Sequence, residues 1–266
     1  MKEPKRPVLA HGKVRHVGDA YAAVIAETEK QARDAVEAIE ADIEELPAIM
    51  DVKAALTSDN FVHDEIGTNQ CFDWGWIEDN RRATDDAIKG AAHVTTLELV
   101  NNRLVPNAME PRCSMASYKE SSDEYTLHTT SQNPHLTRLL ISAFVMGIPE
   151  NKLTVIAPDV GGGFGSKIYH YGEEALVLAA AKRVGRTVKW TSDRTEAFLT
   201  DAHGRDHVTT IELATDAEGN FLAFRTETYA NVGAYLSNFA TATPTFLHGT
   251  LMAGNYTVPN VYVNVK

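Results

Sequence analysis

The sequence is poor in the residues on which disulfide-stapled and metal-caged folds depend. Its 266 residues include only two cysteines, Cys71 and Cys113. Two thiols build neither a disulfide framework nor a zinc cage, and no C-x-x-C pair is present. A reducing cytoplasm is the expectation for such a chain. Long apolar runs are also missing. None approaches the roughly 18 residues that cross a bilayer. The charged start, Met1-Lys2-Glu3-Pro4-Lys5-Arg6-Pro7, has no apolar stretch behind it to form a secretory signal. Basic charge is scarce: 25 Lys and Arg face 36 Asp and Glu, a formal net charge of −11. Repulsion from phosphates makes such a chain a poor nucleic-acid binder. No G-x-S-x-G elbow occurs, so a serine hydrolase has no support. What is there is ordinary for a soluble globular protein, with 44% hydrophobic and 23% charged residues. The length fits one large domain or two small ones.

Periodicity divides the chain into two bodies. Residues 21–26 form an apolar run of strand length, and residues 40–46 read as a second strand stopped by Pro47. Between them Thr28 and Gln31 fit a capping box. Ala32, Ala35, Val36 and Ile39 follow at helical spacing. If the two strands are parallel, the crossover is expected to be right-handed. Residues 48–92 have weak periodicity and read as a linker, with a short helix near 84–89. Beyond residue 93, strands are expected at 94–99, 114–118, 125–130, 152–157 and 187–191. A helix is expected from Pro134, with Leu136, Leu139, Leu140 and Phe144 as its buried stripe and Gly147 as its end. Another spans 172–183, capped by Gly185. Residues 208–213 and 221–229 read as a hairpin around Asp216-Ala217-Glu218-Gly219-Asn220. Residues 256–266 form a β-rich run that stops abruptly, and the chain reads as cut at both ends.

Three clusters carry candidate chemistry. The first is Val160-Gly161-Gly162-Gly163-Phe164-Gly165-Ser166-Lys167, between a buried strand and a helix. Four glycines in five residues cost chain entropy. They make sense where a backbone approaches a ligand closely or turns with positive φ, and such turns hold anions or oxo groups. The P-loop pattern fails because Lys167 follows Ser166 and precedes Ile168. The G-x-G-x-x-G pattern fails because its last position is Ser166. A nucleotide-binding enzyme built on this loop is therefore a weak alternative, whereas on spacing alone a loop that only permits close packing stands level with a ligand-binding one. The second cluster is Thr129-Thr130-Ser131-Gln132-Asn133-Pro134-His135, at a strand end and helix start, where ligands of α/β sheets bind. Gln132 can donate a hydrogen bond there, and Asn133 is expected to cap the helix. The third, Asp201-Ala202-His203-Gly204-Arg205-Asp206-His207, lacks the zincin pattern and any third ligand, so it reads as a solvated turn. Glu110 and Arg112, flanking Pro111, read as a surface ion pair of little weight.

Taken in order, these segments resemble the molybdenum-binding large subunit of the xanthine dehydrogenase family. The nearest branch is the aerobic carbon monoxide dehydrogenase large chain. The resemblance rests on Gly12-Lys13-Val14-Arg15-His16-Val17-Gly18-Asp19, Leu46-Pro47-Ala48, Met109-Glu110-Pro111-Arg112, Ser131-Gln132-Asn133, residues 158–167, and Asp193-Arg194-Thr195-Glu196. It implies an α+β (mixed α/β) chain: a partial α/β hammerhead domain at 1–58, a linker at 59–92, and most of a first molybdenum-cofactor-binding domain at 93–266. Gln132, Gly162, Gly163, Phe164 and Gly165 are the implied cofactor contacts. Ile168 replaces the Glu that holds purine in the xanthine-oxidising branch, which points to a smaller or more apolar substrate.

The resemblance implies further expectations. The cofactor is molybdenum–molybdopterin, as the cytosine dinucleotide. Partners are an iron–sulfur small subunit and an FAD-binding medium subunit, in a dimer of heterotrimers, in the cytoplasm or at the inner face of the membrane. The reaction is oxidation of carbon monoxide, an aldehyde or a heterocycle with water-derived oxygen. The catalytic base is expected beyond Lys266, so no catalytic residue and no protein metal ligand is assigned here, and the chain alone is expected to be inactive. The alternative is a non-catalytic split or orphan module that needs a separate C-terminal polypeptide.

Overall fold

The computed structural model describes residues 1–266. In chain order the elements are α1 (Glu29–Glu37), α2 (Val52–Ala55), β1 (Trp74–Trp76), α3 (Arg81–Gly90), β2 (His93–Asn101), β3 (Cys113–Lys119) and β4 (Glu124–Thr129). They continue with α4 (Pro134–Leu140), β5 (Leu153–Ile156), α5 (Gly172–Val184), β6 (Val188–Thr191), α6 (Arg194–Thr200), β7 (His207–Thr215), β8 (Phe221–Ala230), α7 (Phe246–Gly249) and β9 (Asn260–Val265). The fold is mixed α/β, and it forms two compact units that do not follow chain order. One comprises Met1–Lys5, Pro47–Leu104 and Arg205–Lys266; the other comprises Arg6–Leu46 and Val105–Gly204.

The first unit is built on a five-stranded sheet ordered β1-β9-β8-β7-β2. All neighbours are antiparallel except β8 and β9. The expected hairpin is present. Asp216 accepts from the backbone N–H of Glu218 and Asn220, and Gly219 turns with φ +85°. Its core gathers Ala230, Val263 and Val265 against Phe72, Trp74, Trp76 and Met252. The stretch 59–92, read as a linker, is thus folded. It supplies edge strand β1, whose tryptophans enter the core, and helix α3, longer than the expected 84–89.

The second unit has a four-stranded sheet ordered β5-β4-β3-β6, with β4 and β5 parallel. Helix α5 covers it. Its Ala-rich run presents Ala175, Val177, Leu178 and Ala181 to a core with Ala116, Tyr125, Leu127 and Ile141. Gly185 ends α5 in the left-handed region, as expected.

Three expectations are corrected in this unit. Residues 21–26 and 40–46 form no regular element and belong to no sheet. A strand requires a neighbour that satisfies its backbone groups, and no segment of this chain pairs with them. The crossover between them therefore has no sheet to define its hand. Helix α1 forms with its capping box, yet it buries no residue. The stripe of α4 is rotated: Phe144 is 78% exposed and Leu139 39%, whereas Thr137 and Ile141 are buried. Thr137 is held inward by its hydroxyl contact with Ser131 at 3.2 Å, and beyond it a π-helical turn over Ile141–Met146 displaces Phe144. Each wide turn takes an extra residue and shifts the face that a 3.6 period assigns.

Candidate cofactor-binding site

The site lies wholly within the second unit, where β4 ends, α4 begins, and the Gly161–Lys167 loop approaches both. The loop's backbone is unusual. Gly162 and Gly165 have φ of +94° and +93°, and Phe164 between them has φ +50°. A non-glycine residue in that region is uncommon and marks a backbone held by its surroundings. Phe164 is 76% exposed, so packing of its ring is not what holds it there.

The hold comes from Gln132. Its Oε1 accepts from the Gly165 N–H at 3.0 Å and from the Lys167 N–H at 3.2 Å. Its own N–H donates to the Lys167 carbonyl at 2.9 Å. Two backbone donors aimed at one amide atom identify that atom as oxygen. The Nε2 group is therefore the free donor of an exposed residue. Gly163 permits this approach, since a Cβ there would stand 2.3 Å from Gln132 Oε1. Sequence reasoning placed Gln132 as a donor to a ligand and did not foresee that its other end staples the loop.

Asn133 occupies the position before α4, but its side chain makes no capping bond. With φ −144° and ψ 65° it departs from extended cap geometry. Ser131 Oγ accepts from the Asn133 N–H at 3.0 Å instead. Ile168 is half-buried, and its N–H reaches the Gly165 carbonyl at 3.4 Å.

Beneath the loop lies an ion network with no local signature. Glu110 and Arg112 are not a pair. Arg112 is 4% exposed; its Nε donates to Asp201 at 2.6 Å, and its two terminal nitrogens clasp Glu173 at 3.1 and 3.3 Å. It stacks 3.6 Å above the Tyr171 ring. Tyr171 in turn donates its hydroxyl to the Ser166 carbonyl at 2.6 Å. Burial works against the Arg112 charge, but Glu173, Tyr171 and Asp201 more than restore it and raise its pKa. Burial likewise pushes the Glu173 carboxyl up, and Arg112 outweighs it, holding the carboxyl below its ordinary range. Lys167 is 2% exposed and turned inward to Glu110, so it offers no charge to a phosphate.

No group of three or more His, Cys, Asp or Glu side chains converges anywhere in the chain. The donor set at the loop is an outward amide beside an exposed aromatic ring. That set suits an oxo or other acceptor group of a cofactor, rather than a bare cation. A family model described as molybdopterin cofactor-binding domain matches residues 62–266. The chain belongs to that family. Residues 1–47 match the a/b hammerhead domain of aldehyde oxidase and xanthine dehydrogenase. Among relatives, the molybdopterin-binding chain is 34% identical to the carbon monoxide dehydrogenase large chain of Hydrogenophaga pseudoflava, over 97% of this chain and 34% of that one. It is 31% identical to the nicotine 6-hydroxylase large subunit of Paenarthrobacter nicotinovorans, over 86% of this chain and 28% of that one. The crystal structure of quinoline 2-oxidoreductase from Pseudomonas putida 86 superposes with a TM-score of 0.91 at 30% identity, covering 99% of this chain and 33% of that one. The chain thus spans about a third of the length of the relatives it matches. No helix is long and apolar enough to cross a membrane.

Proposed function

We propose that this chain forms part of the cofactor cradle of a molybdenum-dependent oxidoreductase, with Gln132, Gly162, Gly163, Phe164 and Gly165 against the cofactor. The observation that carries this reading is the fixed orientation of Gln132. Both backbone donors hold its oxygen, so its Nε2 hydrogens are committed to an acceptor outside the loop. When bound, a molybdenum–molybdopterin group supplies the two-electron redox chemistry; the chain binds and orients it. Gln132 Nε2 would supply a hydrogen-bond donor to an acceptor of that group, and the exposed Phe164 ring would offer it an apolar contact.

The finer points of the reading rest on likeness to relatives named for carbon monoxide, nicotine and quinoline. The pterin is the cytosine dinucleotide form. Electrons leave through an iron–sulfur and an FAD-binding subunit in a dimer of heterotrimers located in the cytoplasm. Ile168 sets an apolar wall, which favours a small or apolar substrate over a purine. The base for the complete reaction is not among these residues, so the chain alone has no turnover.

The test is retention of cofactor. The chain is produced in a molybdopterin-synthesising host, and bound molybdenum and oxidised pterin are quantified. Gln132→Ala and Gly163→Ala are expected to lower both by roughly tenfold, the loss of one charge-assisted or well-aligned hydrogen bond. Equal retention in wild type and both variants, with unchanged circular dichroism, overturns the reading.

A further inference from the structure

Lys167 is the largest side chain that the protein buries completely, and the cradle described above does not use it. Its Nζ makes two bonds, both to Glu110: 2.8 Å to the carbonyl and 3.0 Å to Oε2. The same Oε2 accepts from the Gly161 N–H at 2.7 Å. The Glu110 N–H donates to the Gly161 carbonyl at 3.2 Å. Glu110 therefore grips the loop at its entrance, Gly161, and at its exit, Lys167. Lys167 is in turn bonded through its backbone to Gln132 in both directions. A single carboxylate thus closes a ring from Gly161 through Lys167 to Gln132.

We propose that Glu110 is a positioning residue: by tying Gly161 and Lys167 to one carboxylate it fixes the left-handed backbone of Phe164 and the outward direction of Gln132 Nε2. This deepens the cradle reading and rests on it for its purpose, but the ring is a property of the cofactor-free chain. The chemistry favours a fixed ring. A cation at 1% side-chain exposure is costly without a partner, so Lys167 stays where Glu110 is. The Glu110 side chain itself is 35% exposed.

The experiment separates positioning from charge. Removing Glu110 alone strands the buried lysine and endangers folding, so the comparison uses two double variants of equal charge, E110A/K167M and E110Q/K167M. Both lack the ion pair; only the second keeps a side-chain acceptor for the Gly161 N–H. Amide hydrogen exchange is followed by NMR in the cofactor-free chain at Gly165 and position 167, whose amides bond to Gln132 and not to Glu110. Core amides at Leu127 and Leu178 report global opening. The expectation is exchange roughly tenfold faster at the two loop amides in E110A/K167M, with the core unchanged, and at least partial recovery in E110Q/K167M. Equal loop exchange in the two double variants overturns the proposal, and so does a rise shared by Leu127 and Leu178. Molybdopterin retention is measured on the same proteins. Loop loosening without any change in retention supports the Glu110 ring and counts against the cradle reading instead.

Discussion

Arg112 shows how a residue's weight depends on partners far away in sequence. Its carboxylates, Glu173 and Asp201, lie 61 and 89 residues on, so the adjacent Glu110 was the only partner its local sequence offered. Breaking a buried pair by removing one side leaves the other charge stranded. Arg112→Met is expected to cost about 3–5 kcal/mol at neutral pH. The sign of the pH dependence should also reverse. In the wild type, Glu173 has a folded pKa below its unfolded value. Its stabilisation is present above the unfolded value, about 4.3, and is lost as pH falls through the folded one. Without Arg112, burial, the largest influence on Glu173, is opposed only by a backbone hydrogen bond and the Arg6 charge, and the folded pKa is expected to rise. Measured against the wild type at each pH, the variant should therefore gain stability as pH drops from about 7 toward 5. Urea midpoints across that range decide it; a variant that parallels the wild type refutes the account. Glu110, Lys167 and Gln132 share the same lesson. The four-glycine run located the loop and Gln132 its neighbour, but which atom of Gln132 is left free depends on two backbone donors that only folding brings together.

At the scale of elements, what was legible was what each segment decides for itself. Turn chemistry placed the β7–β8 hairpin at Asp216 and Gly219. The glycines at 147 and 185 ended their helices. The Thr28–Gln31 capping box formed, with N–H to side-chain distances of 3.3 and 3.1 Å. What was illegible depended on a second segment. The apolar run at 21–26 has the composition of a strand and lacks a strand beside it. The α4 stripe followed a 3.6 period that the π turn does not keep. Because α1 buries nothing, its stability and that of its unit are expected to be separable. Thr28→Ala should speed amide exchange at Gln31 and Ala32 by several-fold, a loss of about 1 kcal/mol at the cap. The urea midpoint of the whole chain should not move. A lowered midpoint would mean that α1 is coupled to the core after all.

For the whole molecule, the two compact units are not the consecutive bodies read from the sequence, because strands within residues 74–101 pair with strands that come more than a hundred residues later. Each body carries its own apolar core, and tryptophans report on each. Trp74 and Trp76 touch the first core, and Trp190 packs against the second. These are the three tryptophans of the sequence. Leu178 is fully buried in the second core, so Leu178→Ala should cost about 2–5 kcal/mol there. In a W74F/W76F background, Trp190 fluorescence should report that loss as an earlier urea transition. In a W190F background, the same substitution should leave the Trp74 and Trp76 transition in place. Identical shifts in both backgrounds would mean that the two cores unfold as one.

The interleaving of the two bodies also bears on how the chain is made. A ribosome delivers residues 6–204 before any of β7, β8 or β9 exists. The unit that carries the glycine loop is complete by then and is free to fold during synthesis. Strands β1 and β2 emerge early but occupy the two edges of a sheet whose three inner strands are translated last. Until those arrive, Trp74 and Trp76 lack the core they pack against, and β2 has neither of its edges paired. The interval between translating residue 101 and residue 207 is thus the window in which a nascent chain most needs a chaperone.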